Sequence, residues 1–248
     1  MHFAGIDIGS RTIELVEVDK EGRIQKRFQE DTGFDPITTA RNMMNQAGFE
    51  RIMATGYGRN LLEINFDAPT VTEIKAHATG ARALYPDIGT ILDIGGQDSK
   101  AISLFNNGKV KKFEMNDRCA AGTGKFLEIM AKTLGYSIEE FGAEALRASN
   151  EFNISSMCTV FAESEVVSLI TKGHDRREIA RGLHASVVRR AAAMLNRVSA
   201  QGDIVFSGGV ANNPCLVAFL EEKLKRRVVV PTHPQFIGAY GAALLAAN

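Results

Sequence analysis

One pattern occurs twice in this chain. Residues 3–9 (FAGIDIG) and 90–96 (TILDIGG) are each an apolar run that ends in Asp-Ile-Gly. A short polar stretch follows each run, SRT at 10–12 and QDS at 97–99. Next come an alternating segment (IELVEV at 13–18, KAISLF at 100–105) and a turn containing Gly22 or Asn106-Asn107-Gly108. Strand, tight glycine turn, strand, turn and strand make a β-meander. Two copies within 248 residues point to two like-folded lobes with a cleft between them. The intervals read as helices at 36–47, 72–84, 123–134, 139–148, 160–172, 176–200 and 214–225, with a last apolar helix after 236. Short strands fall at 50–54, 203–208 and 227–231, so the class is α/β. Pro86 punctuates the crossing. The expected division is an N-terminal lobe over 1–87, completed by a C-terminal helix at 236–248, and a C-terminal lobe over 88–235.

Lys+Arg and Asp+Glu both number 29, so net charge gives no reason to expect nucleic acid or an anionic membrane as partner. No apolar run approaches the roughly 20 residues of a membrane span. The opening MHFAGIDIGS has no signal-peptide pattern, and the chain is expected to be cytoplasmic. Three cysteines, Cys119, Cys158 and Cys215, are too few and odd in number for a disulfide framework.

Glycine turns bind phosphate because their backbone N–H groups can be approached without a Cβ in the way. Asp7-Ile8-Gly9-Ser10 and Asp93-Ile94-Gly95-Gly96 each put a carboxylate just before such a turn. Gly9, Ser10, Arg11 and Thr12 from one turn, and Gly95, Gly96 and Gln97 from the other, are the candidate phosphate contacts. Asp7 and Asp93 are expected near Mg²⁺, through its retained waters. Gln97 is placed to orient a water at the γ-phosphate, and a neutral amide suits slow, switch-like hydrolysis. There is no GxxxxGK[ST] string, so a P-loop is excluded. A third element, FSGGVANNP at 206–214, is a strand running into the Gly208-Gly209 pair and then a helix with Pro214 in its first turn. The bare backbone of that pair, with Asn212, suits a flat ring such as adenine.

These elements, in this order, resemble the superfamily of actin, Hsp70 and the acetate and sugar kinases. Within it the chain resembles the activator component of 2-hydroxyacyl-CoA dehydratases and the ATPase subunits of benzoyl-CoA reductase. The strings that carry the resemblance are LDIGGQDSKAI (92–102), NDRCAAGTGKF (116–126), SSMCTVFAESEV (155–166), FSGGVANNP (206–214) and PQFIGAYGAALLA (234–246). It implies two ribonuclease H-like lobes with an interlobe site for ATP or ADP, and it adds Gln235 to the nucleotide contacts.

Cys119 precedes Ala120-Ala121-Gly122-Thr123-Gly124, read as a helix start, and Cys158 precedes the helix beginning near Val160. A helix N-terminus stabilises a thiolate and suits the negative charge of an iron–sulfur cluster. On pattern alone, two buried apolar cysteines fit equally well. The resemblance favours the cluster. A cubane normally takes four thiolates, and a two-fold dimer would supply two from each chain. Cys215 is read as packing. Lys100 and Lys125 read equally as phosphate-neutralising or as solvated lysines. Glu163 and Glu165 read as helix-surface or partner-facing charges, with a role left open by the family string, and the small residues around Gly238 and Gly241 permit close helix packing. The family implies a homodimer with one 4Fe–4S cluster that couples ATP hydrolysis to electron transfer. The implied partners are an iron–sulfur dehydratase or reductase and a ferredoxin or flavodoxin donor. Alternatives are a small-molecule kinase, a benzoyl-CoA reductase ATPase subunit, and a nucleotide-sensing scaffold without a cluster.

Overall fold

The computed structural model describes residues 1–155 and 158–248. Both expected meanders are present. The first is β1 (His2–Ile8), β2 (Thr12–Asp19) and β3 (Ile24–Asp31), followed by α1 (Pro36–Gln46), β4 (Arg51–Thr55), α2 (Arg59–Phe66) and α3 (Glu73–Leu84). The second is β5 (Thr90–Ile94), β6 (Ser99–Leu104) and β7 (Val110–Asn116), followed by α4 (Gly124–Thr133), α5 (Ile138–Leu146), α6 (Thr159–Thr171) and α7 (Arg176–Arg197). β8 (Ile204–Ser207), α8 (Pro214–Leu224), β9 (Val228–Val229) and α9 (Ile237–Ala247) complete the described strands and α-helices, with single 3-10 turns at Gly209–Asn212 and Pro234–Phe236. The sheet orders are β3-β2-β1-β4 and β7-β6-β5-β8-β9, the same plan with one more strand in the second. Two compact units result: residues 1–91, 102–113 and 231–248, and residues 92–101 with 114–230.

In the first unit, strand alternation decides which helix covers which face. Ala4, Ile6, Ile8, Ile13 and Leu15 point to one side and pack with Ala40 and Met43 of α1 and Leu62 of α2. Phe3, Val16 and Val18 point to the other side and pack with Ala239, Tyr240 and Ala243 of α9. Gly5 lies on this second face, where a Cβ would overlap the Ala239 carbonyl, so α9 rests directly on β1. Asp7 has the same parity as Phe3 and Gly5, and so faces α9.

α2 is an addition: the sequence pattern predicts no element between the strand at 50–54 and the helix at 72–84. It is short, has one buried residue, Leu62, and ends at Asp67 in the left-handed region (φ 51°). Too few apolar positions recur over eight residues to give a helical period.

The second unit has one large core. Leu92 and Ile94 of β5 and Phe206 of β8 meet Leu127 and Met130 of α4, Phe141 of α5, Leu183 and Val187 of α7, and Leu216 of α8. His184 sits fully buried among them. Its ring nitrogens are assigned from their neighbours: Nδ1–H donates to the Ala180 carbonyl at 2.7 Å, and Nε2 accepts from Asn213 Nδ2 at 2.9 Å. Burial pushes the imidazole down from the ordinary 6.5 to about 4. Between those values the unfolded chain binds a proton that the folded chain refuses, so stability falls as pH drops. Lowering pH from 7 to 5 should remove about 2 kcal/mol through this residue. Urea unfolding at both pH values tests it, with the loss shrinking in His184→Gln; an identical loss in that variant would contradict the assignment.

Candidate functional site

In the first unit, the turn after β1 closes by a hydrogen bond from the Gly9 N–H to the Thr12 carbonyl at 3.0 Å. Thr32 braces it from the end of β3: its N–H donates to the Arg11 carbonyl at 2.9 Å, and its hydroxyl donates to the Gly9 carbonyl at 2.8 Å. Ser10 and Arg11 are left exposed at the tip. The Asp7 carboxylate lies between two glycines, with Oδ1 against Gly56 and Oδ2 against Gly238, and a Cβ on either would overlap it. His77 of α3 approaches from the same side, its Nε2 3.1 Å from where a Gly238 Cβ would stand. Glu14, 5% exposed, is paired with Asp7 across β1 and β2.

The second unit repeats the turn. The Gly95 N–H donates to the Asp98 carbonyl at 3.0 Å, and Gln97 is exposed at the tip. α4 is seated on this turn, its Gly124 and Lys125 N–H groups donating to the Gly95 and Gly96 carbonyls at 2.9 and 2.8 Å. Asp93 is 2% exposed; its Oδ1 accepts from the Ser207 hydroxyl at 2.7 Å and its Oδ2 lies 3.4 Å from Lys100 Nζ. The loop after β8 also rests on β5. Gly208 adopts φ 84°, and a Cβ there would overlap the Ile94 carbonyl, whereas a Cβ on Gly209 would meet nothing within 4 Å. Asn212 donates to the Gly209 carbonyl at 3.1 Å, and Asn213 caps α8 by accepting from the Cys215 and Leu216 N–H groups.

Asp7, Gly9, Ser10, Arg11 and Thr12 are therefore together in the first unit. Asp93, Gly95, Gly96, Gln97, Gly208, Gly209 and Asn212 are together in the second. Gln235 is in the first unit, where its amide Nε2 donates to Gln29 Oε1 at 3.2 Å.

The cysteines divide by exposure. Cys119 and Cys158 are free and exposed, whereas Cys215 is buried, its thiol pushed up to about 12 by desolvation. Cys158 is the N-cap residue of α6, as expected. Cys119 is not at a helix start. Gly122 takes φ 89°, which breaks the helix that the small residues suggested, and α4 is capped at Thr123. Cys119 instead sits on a loop held by Asn116, whose Nδ2 donates to the Cys119 carbonyl at 2.9 Å. Among the described residues, no group of three or more His, Cys, Asp or Glu side chains could hold a metal ion. The string 155–166 includes Ser156 and Met157, which lie outside the described residues. Beyond that gap, Glu165 accepts from the Ser155 N–H at 3.1 Å, and Glu163 accepts from Thr133 of α4 at 3.4 Å.

Glu14 and the burial of Lys100 escaped the sequence reading, and so did the side-chain contacts of Asp98 with Lys100 and of Ser207 with Asp93. A charged residue in an alternating strand reads as solvent-facing, and only the packed sheet shows otherwise. No helix among the described residues is long and apolar enough to cross a membrane.

The profile described as the BadF/BadG/BcrA/BcrD ATPase family matches residues 4–246. The activator of lactoyl-CoA dehydratase from Anaerotignum propionicum is 42% identical over 99% of this chain and 97% of its own length. Component A of (R)-2-hydroxyglutaryl-CoA dehydratase from Acidaminococcus fermentans superposes with a TM-score of 0.93 at 37% identity, over 100% of this chain and 98% of its own. The activator of 2-hydroxyisocaproyl-CoA dehydratase from Clostridium difficile, with bound ADPNP, gives 0.90 at 36% identity, over 100% and 94%.

Proposed function

The chain belongs to the BadF/BadG/BcrA/BcrD ATPase family, and on that premise we propose that it is an ATP-driven activator of an iron–sulfur dehydratase or reductase. The observation that carries this reading is the pair of glycine turns closed by the same hydrogen bond, each behind an aspartate. In this reading Gly9–Thr12 and Gly95–Gln97 hold the phosphates. Gly208, Gly209 and Asn212 take the adenosine, with the open side of Gly209 giving room for the ring, and Gln235 contributes from the chain's end. Asp7 faces the water shell of Mg²⁺. Asp93 keeps its oxygens on Ser207 and Lys100, so its part in holding the metal runs through water. The functional lobes are 1–87 with 236–248, and 88–235, which differ from the compact units at 88–91, 102–113 and 231–235.

The cysteines fit a shared 4Fe–4S cluster. Two exposed thiols per chain are half of a cubane's usual four, so two copies of the chain complete the set. Next to Cys158, Val160 and Phe161 are 66% and 68% exposed, an apolar surface that a second copy would cover. When bound, such a cluster supplies a low-potential one-electron carrier. The protein's own contribution is mechanical: the α4 N-terminus hangs from the second turn, and Cys119 lies on the loop leading into α4, so a turn that moves with its nucleotide moves that loop. Ferredoxin or flavodoxin is the donor class, and the setting is cytoplasmic.

Gln97 orients the attacking water in this scheme. Gln97→Ala should lower steady-state ATP hydrolysis about tenfold or more while ADP still binds. Hydrolysis unchanged from the parent protein would remove Gln97 from the mechanism.

A further inference from the structure

Lys100 stands on β6 just past the second glycine turn and is only 3% exposed. Its ammonium pairs with the Asp98 carboxylate and lies 3.4 Å from Asp93 Oδ2. Each of these carboxylates leads to a different part of the site. Asp98 closes the turn through its carbonyl, and its Oδ1 is 2.7 Å from where a Gly95 Cβ would be. Asp93 accepts from Ser207, the residue immediately before Gly208. One ammonium therefore ties the backbone of the 95–97 turn to the base of the 208–212 loop. The solvated-lysine reading is removed by the burial, and direct phosphate contact is disfavoured because the ammonium already serves two carboxylates.

Two carboxylates converging on one ammonium repel each other, the Asp93 side chain at 3% exposure and the Asp98 side chain at 24%. Taking away a buried counter-charge costs more than the pair's own net contribution. We infer that Lys100 is a positioning residue for ATP hydrolysis. Its ammonium holds the phosphate turn and the adenosine loop in one fixed relation, through Asp98 on one side and Asp93 with Ser207 on the other. The inference rests on the reading of residues 95–97 as a phosphate turn.

The test is a charge-balance cycle. Lys100→Met keeps the apolar stem and removes the ammonium. Asp98→Asn removes one carboxylate, and the double variant removes both. Expected for Lys100→Met is a kcat for Mg·ATP about 10²-fold below the parent, the scale of a misplaced reacting group, with KM nearly unmoved. The double variant should regain about tenfold of that loss, because the repulsion between the Asp98 and Asp93 carboxylates is gone and Asp93 keeps its Ser207 hydrogen bond. A kcat at parental level in Lys100→Met, or a double variant no better than Lys100→Met, overturns the inference. If Lys100→Met does not fold, the double variant still decides, since a folded double variant within about tenfold of the parent supports charge balance. Unfolding stability on the same proteins separates the two readings. Rescue of stability without rescue of kcat faults the phosphate-turn assignment and the role in hydrolysis, while rescue of neither faults the ion network itself.

Discussion

Gly241→Ala should destabilise the first unit by about 3 kcal/mol or more, making it one of the most damaging single-methyl additions in the chain. α3 and α9 cross here with their backbones in contact. A Cβ at Gly241 would overlap the Ala76 carbonyl and come within 2.8 Å of the Gly80 nitrogen. The contact is reciprocal, because a Cβ at Gly80 would overlap the Ile237 carbonyl. Neither obstacle is the movable end of a side chain, so the only relief is to separate the helices. α9 cannot retreat freely, since its other side rests on β1 at Gly5. Separation would also shift Gly238 away from the Asp7 carboxylate, so nucleotide affinity should fall with stability. Urea unfolding measures the first effect and ADP titration the second. Gly48→Ala is the control: a Cβ there meets nothing within 4 Å, and its effect should stay within about 0.5 kcal/mol. A Gly241→Ala protein as stable as that control would mean that α3 and α9 do not touch at this point.

How much of this was legible in the sequence depended on whether a feature is local. A two-residue turn behind a strand favours glycine where the chain closes on itself: a Cβ on Gly9 would come within 2.7 Å of the Thr12 carbonyl, and one on Gly95 within 2.7 Å of the Asp98 carboxylate. The meanders, the SGG loop and the long helices could therefore be read directly. α2 could not, because eight residues with one buried leucine carry no period. Cys119 was misplaced on a helix start for a related reason. Small residues permit a helix but do not compel one, and the positive φ of Gly122 defers the N-cap to Thr123, four residues past the cysteine. The buried ions were hidden for a different reason. Lys100 and Glu14 occupy strand positions, which read as half solvent-facing, and burial of a charge is decided by what packs over it.

The second large effect concerns the cysteines. Cys119→Ser and Cys158→Ser should each abolish iron binding, because a hydroxyl is a far poorer ligand for iron than a thiolate and a dimer would lose two ligands of four at once. Cys215→Ser should leave iron in place. Its thiol is buried in the core, and that burial pushes it up to about 12, so it offers no exposed ligand to a cluster shared between chains.

The most direct test of the central claim is iron and acid-labile sulfide per two chains, with an EPR spectrum after dithionite reduction, on protein purified without oxygen. The account predicts about four irons per dimer and a reduced-cluster signal, both lost in either Cys119→Ser or Cys158→Ser and kept in Cys215→Ser. Protein that binds ADP but takes up no iron, even on anaerobic reconstitution, would contradict it.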